Sequence, residues 1–469
     1  MPPLPPPPSE NRIPLPPSQA LIAGYADVLV VGAGPAGIGA ALGAARSGAK
    51  VILAERYGFP GGSATVGLVN PLMSAHTQES RFRQAGVQIL YPTDHGRGTR
   101  VIAGVLTEII EKLLSKGGAI PPSEITGYVT TLDPEILKFV LAEMLDEAEV
   151  QTLYHVFATG YIKEEQQSTI IFQSKSGPVA IQAHSVIDCT GDGDVAVFAG
   201  ASFEYGREID HLAQPMTHYF RMTDFELSAF REYVHNHPSQ WYGVFGLWDL
   251  VEKATADGKL NLPREDILMF ASPHPQEVSV NSTRVTNVSG IDVFDISRAE
   301  CEGRKQVYEV VEFLKQYVPG FKNAYLVQTA VQISVRESRR ITGDYVITGQ
   351  DILETRKFYD VIARSAYPLD IHNPKGKGTH IERLPDGKSY DIPLRCLLPK
   401  GCTNLLVAGR CISGTHEAHS SYRVMPVAMA TGQAAGVCAA LAALCRCATR
   451  DIDYKEVQTE LQKQNASLW

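Results

Sequence analysis

The chain has 469 residues, more than one hydrophobic core normally spans, so two or three domains are expected. It is 44% hydrophobic and 20% charged, the make-up of an ordinary globular enzyme. Lys and Arg number 43 against 51 Asp and Glu, a net charge of −8 with no concentrated basic stripe, which counts against a nucleic-acid partner.

Nine prolines fall in the first seventeen positions. Such a stretch favours extended polyproline II and packs no core, so residues 1–22 read as a disordered tail. It lacks the basic start and apolar centre of a secretory signal. Its PxxP spacing suits an SH3-like partner, but a passive tail is the simpler reading. The eight cysteines include no Cys-x-x-Cys, the spacing expected of a dithiol redox centre or a zinc knuckle. Reduced thiols, no metal and a cytoplasmic setting follow as expectations.

The densest signal is ADVLVVGAGPAGIGAALGAARSGAKVILAER. Val28–Val31 reads as a buried parallel strand, and Gly32-Ala33-Gly34-Pro35-Ala36-Gly37 supplies G-x-G-x-x-G directly after it. An alanine-rich helix and a second strand, Val51–Ala54, then lead to Glu55. Gly32 permits the tight turn, Gly34 lets backbone approach a pyrophosphate, and Gly37 lets helix and strand pack closely. Phosphates would face the free amides and positive dipole of the helix start, and Glu55 would accept ribose hydroxyls.

The following segment, Glu55-Arg56-Tyr57-Gly58-Phe59-Pro60-Gly61-Gly62-Ser63-Ala64-Thr65, resembles the glycine-rich loop of glutathione-reductase-type FAD domains. The resemblance extends along the chain. ERYGFPGGSAT, CTGDGDVA, NSTRVTNV, RESRRITGDY and GRCISGTHEAHSSYRVMP are similar to motifs of a FAD-dependent oxidoreductase family, many of whose members have no established substrate. It implies an α/β fold: a Rossmann-type, glutathione-reductase-like FAD-binding domain with a parallel sheet and a β-meander, plus an α+β substrate domain. It also implies cofactor contacts from Gly32, Gly34, Pro35, Ala36, Gly37, Glu55, Arg56, Gly61, Gly62, Ser63, Ala64 and Thr65.

Asp133–Ala148 has helical spacing, with Leu137, Val140, Leu141, Met144 and Leu145 on one face. Val150–Lys163 and Thr169–Phe172 read as strands of a meander, and Val186–Cys189 as a strand leading into Thr190-Gly191-Asp192-Gly193-Asp194. By the resemblance, backbone at Val156 and Phe157 reads the adenine, and Thr190, Gly191 and Asp192 lie beside the dinucleotide. A late strand, Asn404–Ala408, ends at Gly409 and Arg410, which the resemblance brings to the ribityl chain. A helix is expected to start near Val424-Met425-Pro426 with its free amides toward the flavin, since proline suits a first helical turn. The run Val427–Cys445 is apolar enough for a membrane span, but its small residues read as a helix buried in the protein. The FAD domain is thus expected from 23–75, 130–200 and 390–447, a substrate domain with a mixed sheet from 76–129 and 201–389, and a C-terminal extension from 448–469.

Absences narrow the chemistry. A second G-x-G-x-x-G unit and a cysteine pair are both missing, leaving hydride transfer from a small organic substrate to flavin N5 as the simplest scheme. Reoxidation would fall to oxygen or an external acceptor. The alternative is a non-redox or group-transfer flavoprotein, of thiazole-forming or tRNA-modifying type, and the charge balance opposes the latter. A scaffold protein carrying a vestigial domain is a third reading, opposed by the intact glycines and Glu55. Proton-transfer candidates cluster at His416, His419, Tyr422 and Arg423 in a loop before the flavin-facing helix, where a histidine could be the general base and Arg423 could fix an anionic substrate or the reduced flavin. His372 lies in a second cluster that resembles a substrate-side segment of the family. His416 and His419 serve equally well as residues that shape the loop. Asn281 and Arg284 could line the pocket by resemblance, whereas Arg336, Glu337, Arg339 and Arg340 read as a solvated or salt-bridged helix face. The expected partner is a small molecule, with no nucleic acid and no membrane, and a homodimer is compatible with these features.

Overall fold

The apolar run Val28–Val31 is the buried end of strand β1 (Leu21–Val31), which pairs in parallel with the wholly buried β2 (Val51–Glu55). The computed structural model describes residues 13, 18–73, 75–79, 88–92, 98–164 and 167–469. Most of the proline-rich tail therefore lies outside the described residues, and β1 already begins two residues inside the span read as tail.

Val150–Lys163 is not one strand of a meander. It divides at His155, whose φ is +59°. Its first part, β3 (Gln151–Tyr154), extends the parallel sheet beside β2, and its second, β4 (Phe157–Lys163), starts an antiparallel meander with β5 (Ser168–Ser174) and β6 (Gly177–Asp188). β6 runs parallel to β1 along nearly its whole length, and β7 (Leu405–Val407) takes the other flank of its end, beyond β5. The register aligns the carboxyl ends: Val31 faces both Ala54 and Asp188, and Asp188 faces Val407. Loops from four distant parts of the chain thus leave one sheet edge together, where ligands bind in open α/β sheets.

Helix α1 (Pro35–Arg46) covers this sheet and packs against α2 (Met425–Cys445) through reciprocal glycine notches. A Cβ on Gly432 would lie 2.0 Å from the Ala36 carbonyl oxygen, and one on Gly436 would lie 2.1 Å from that of Ala40. In the other direction, Gly39 meets the Met429 oxygen at 2.2 Å and Gly43 that of Gln433 at 2.5 Å. Small residues at four-residue spacing on both helices allow this backbone contact. α2 is long and apolar enough to cross a membrane, yet 83% of its most apolar window is buried inside the protein.

A second core lies beneath a six-stranded sheet ordered 325–329, 220–223, 278–280, 267–271, 245–246 and 241–242. Every pairing in it is antiparallel, so the expected mixed sheet is corrected. Phe230, Trp241, Phe313 and Phe321 fill the space between it and the helices 227–236 and 293–317. The helix expected over Asp133–Ala148 runs from Pro134 to Glu147, and the Asp133 carboxylate caps it by accepting from the Glu135 and Ile136 amides.

Candidate functional site

A cavity of about 860 Å³ begins at the aligned strand ends and continues under the second sheet. At its first end, Gly32 turns the chain at φ +98°, and a Cβ there would lie 2.5 Å from the Cys189 carbonyl oxygen. A Cβ on Gly37 would lie 1.7 Å from the Gly32 oxygen, so only glycine lets α1 come this close to β1. α1 starts at Pro35 with Gly34 before it and no side-chain cap, leaving its first amides for a ligand.

The loop after β2 meets the loop after β1 glycine to glycine, since a Cβ on Gly62 would lie 2.7 Å from the Gly34 α-carbon. The Gly61 amide donates to the Ala33 carbonyl at 2.8 Å, and the Thr65 hydroxyl donates to Pro60 at 2.8 Å. Glu55 Oε2 accepts from the Ala33 amide at 2.5 Å and Oε1 from the Tyr57 amide at 3.0 Å, and the carboxylate still lines the cavity. The Val156 amide donates to the Glu55 carbonyl at 3.1 Å, bringing Val156 and Phe157 alongside.

At the end of β6, the buried Asp188 carboxylate accepts from the Thr190 amide and hydroxyl and from the Ala196 amide, which shapes the TGDGD turn. Arg410 donates through Nη2 to Asp192 at 3.1 Å, while its buried Nη1 has no hydrogen-bond partner among the described residues. α2 begins at Met425 after Val424, with Pro426 in its first turn and no side-chain cap. Two uncapped helix starts, a glycine passage and an orphaned guanidinium nitrogen on one cavity fit an anionic dinucleotide.

Gly32, Gly34, Pro35, Ala36, Glu55, Arg56, Gly62, Ser63, Val156, Phe157, Thr190, Gly191, Asp192, Gly409, Arg410, Val424 and Met425 all line this cavity. Gly37, Gly61, Ala64 and Thr65 instead support its wall from behind. Of the proton-transfer candidates, the cavity wall includes His372 and Arg423 but not His416, His419 or Tyr422. The expected loop over 416–422 is a short helix capped by Thr415, and that corrects the reading. The helix turns His416 Nδ1 onto Glu337 at 2.9 Å and the Tyr422 hydroxyl onto the Ile412 carbonyl at 3.1 Å. His419 is fully buried edge-on to Tyr422 with neither ring nitrogen bonded among the described residues, and burial holds it neutral by pulling its pKa well below the usual range.

The solvated helix face expected at Arg336, Glu337, Arg339 and Arg340 is a second correction, although Arg339 and Arg340 are salt-bridged, to Asp194 and Glu337. Arg339–Ile341 is a strand paired with 203–205, not a helix, and Glu337 is fully buried. Its carboxylate accepts from Arg340 at 2.6 Å and from the Gln214 amide at 3.0 Å as well as facing His416. Arg336 lines the far end of the cavity with Arg264, Arg284 and Arg423. Tyr219, Tyr367, Asn281 and Asp370 complete that end. Arg264, Arg336 and Tyr219 were not anticipated as lining residues, because no local motif marks arginines contributed by separate segments.

Asp370 Oδ2 accepts from the Tyr367 hydroxyl at 3.0 Å and from Arg423 at 3.3 Å. Arg284 Nη2 stands 3.2 Å from His372 Nδ1. Since a guanidinium only donates, that nitrogen accepts, and the proton of the neutral ring sits on Nε2. Burial, reinforced by Arg336 and the other guanidiniums, pulls His372 well below its usual pKa. Burial pushes the Tyr219 hydroxyl up to about 12 and raises that of Tyr367 well above its ordinary value, so both stay protonated. Cys189 also touches the cavity, and burial raises its thiol well above the usual range.

Aligned parallel strand ends and a glycine cradle running into a covered pocket define a Rossmann-type dinucleotide-binding protein. The chain belongs to the FAD dependent oxidoreductase family, whose model matches residues 27–461, and its cofactor is FAD. No curated protein matches it. Similar solved structures include a geranylgeranyl bacteriochlorophyll reductase-like protein from Thermoplasma acidophilum, at 15% identity and TM-score 0.45, covering 95% of this chain and 84% of that one. Another is p-nitrophenol 4-monooxygenase from Pseudomonas putida DLL-E4, at 14% identity and TM-score 0.40, covering 69% and 70%. At this distance neither bears on the activity.

Proposed function

We propose that the protein is a dehydrogenase or oxidase that takes a hydride from a C–H bond of a small organic substrate seated at the arginine-lined end of the cavity. The observation that carries this reading is the continuity of one cavity from the dinucleotide cradle to a covered, polar end. Bound FAD supplies a two-electron acceptor at its N5 position. The uncapped start of α2 at Val424 and Met425 favours negative charge beside it. Asp370 is the group to receive a substrate proton, because the accepting nitrogen of His372 is already taken by Arg284. Tyr367 and Arg423 orient that carboxylate. The protonated Cys189 thiol does not support disulfide exchange.

Anaerobic mixing with a panel of alcohols, amines and hydroxy acids tests the proposal. At least one compound should abolish the oxidised flavin absorbance, more slowly when its reacting C–H is deuterated. Turnover of a compound while the flavin stays oxidised under anaerobic conditions would favour the group-transfer reading.

A further inference from the structure

We propose that the far end of the cavity is a carboxylate subsite centred on Arg336, and that the substrate is a small carboxylic acid bound as its anion. The inference rests on the oxidoreductase reading and adds the chemical class of its substrate.

Four guanidiniums meet at this end, and only two of them meet carboxylates. Arg264 pairs with Asp266 at 2.8 Å, and Arg423 with Asp370 at 3.3 Å. Arg284 spends its donors on neutral groups: the carbonyls of Gly376 and Gly378 at 2.8 and 2.9 Å, the Thr379 hydroxyl, and His372. Among the described residues, Arg336 donates only to the Pro215 carbonyl, at 2.6 Å through Nη1. Neither Arg284 nor Arg336 has an ion-pair partner among the described residues. Both are more than nine-tenths buried, with exposures of 4% and 9%.

A buried, unpaired cation is unfavourable, and two beside each other are more so. Burial and then Arg423, Arg284 and Arg264 push Arg336 down to about 9, which still leaves it charged at neutral pH. Such an arrangement is destabilising in the free protein and is relieved by an anion. Arg284 is immobilised and nearly saturated, whereas Arg336 keeps one edge of its fork for a ligand in the cavity. One guanidinium edge matches the two oxygens of a planar carboxylate. The same edge also fits two oxygens of a phosphate, so inorganic phosphate is the competing probe. The Tyr219 and Tyr367 hydroxyls stand nearby for the substrate's other polar groups.

The test uses the FAD-loaded protein, with acetate, succinate and benzoate as probes, their amides as uncharged isosteres, and inorganic phosphate for comparison. Binding is read from the shift of the oxidised flavin spectrum and from the rise in Tm. A carboxylate should bind at least tenfold more tightly than its amide and than phosphate. Arg336→Met should weaken that carboxylate about 10-fold to 100-fold, and Arg336→Lys should fall between. The ligand-free Arg336→Met protein should unfold at the same temperature as the parent or higher. Equal binding of acid and amide, preference for phosphate, or an unchanged Kd in Arg336→Met would overturn the subsite. A lowered flavin potential in Arg336→Met with carboxylate binding intact would assign the arginine to the reduced flavin instead, also overturning it. These outcomes are read on a protein that holds FAD, so failure here leaves the oxidoreductase reading standing. Failure of that reading shows separately, as absence of anaerobic bleaching by any substrate.

Discussion

Arg336 and Glu337 are consecutive in the chain, yet the carboxylate of one is enclosed by three partners while the guanidinium of the other meets a single carbonyl at the cavity wall. Glu337 joins the Arg339–Ile341 strand to the helix carrying His416, and so holds the segment that leads into α2. Glu337→Gln keeps the shape and removes the charge facing Arg340. It should destabilise the holoprotein by about 3 kcal/mol, as breaking a buried pair does, measured by urea denaturation. A loss no larger than that of an exposed Glu→Gln control would contradict the role given to this contact.

The notches between α1 and α2 predict that Gly432→Ala and Gly436→Ala each cost about 2 kcal/mol or more through overpacking, because the obstructing atoms are backbone oxygens. FAD affinity should fall with stability, since both helix starts line the cavity. Gly376→Ala has no heavy atom within 4 Å of the added methyl and should be neutral in stability. Equal thermal melts for all three variants would refute the packing account.

The dinucleotide end was legible in the sequence because its determinants are local. Strand, glycine turn, helix and acid follow one another from Val28 to Glu55, and Gly32 and Gly37 answer contacts within that unit or with an adjacent strand end. The start of α2 was legible for the same reason, through Pro426. The arginine end was legible only in part. Arg284 was placed in the pocket by resemblance and Arg423 stood among the site candidates, but Arg264 and Arg336 come from separate segments that only the tertiary fold assembles, and neither carries a local motif. His416 and His419 do not reach the cavity wall because Thr415 caps a short helix there, which turns both rings inward. The strand break at His155 depends on a left-handed backbone that histidine does not announce.

Asp188 gives a pH signature. Burial raises its carboxyl from 3.8 to about 6, outweighing the donors from Thr190 and Ala196. A folded-state pKa above the unfolded value contributes stability that is present below about 4 and lost as pH rises through about 6. Asp188→Asn carries no such titration. Its stability relative to the parent should therefore improve between pH 4 and pH 7, by up to about 3 kcal/mol. Urea midpoints at both pH values read this directly, and a constant difference would show that Asp188 does not titrate as described.

Arg410 tests the cofactor end separately from the substrate end. Its orphaned Nη1 is expected to contribute to dinucleotide binding, so Arg410→Met should weaken FAD by about 10-fold or more while leaving carboxylate-to-amide preference unchanged in the reloaded protein. Unaltered FAD affinity, measured by fluorescence of released flavin, would remove Arg410 from the cradle.

The most direct measurement is the visible absorption spectrum of the purified protein beside that of Gly62→Ala, whose added methyl would lie 2.7 Å from Gly34 at the proposed pyrophosphate passage. The parent should show oxidised flavin bands, release FAD on denaturation, and lose its colour under anaerobic conditions with a substrate. Gly62→Ala should fold but hold little flavin. A colourless parent protein that FAD neither binds nor stabilises, or a Gly62→Ala variant with full flavin content, would contradict the account.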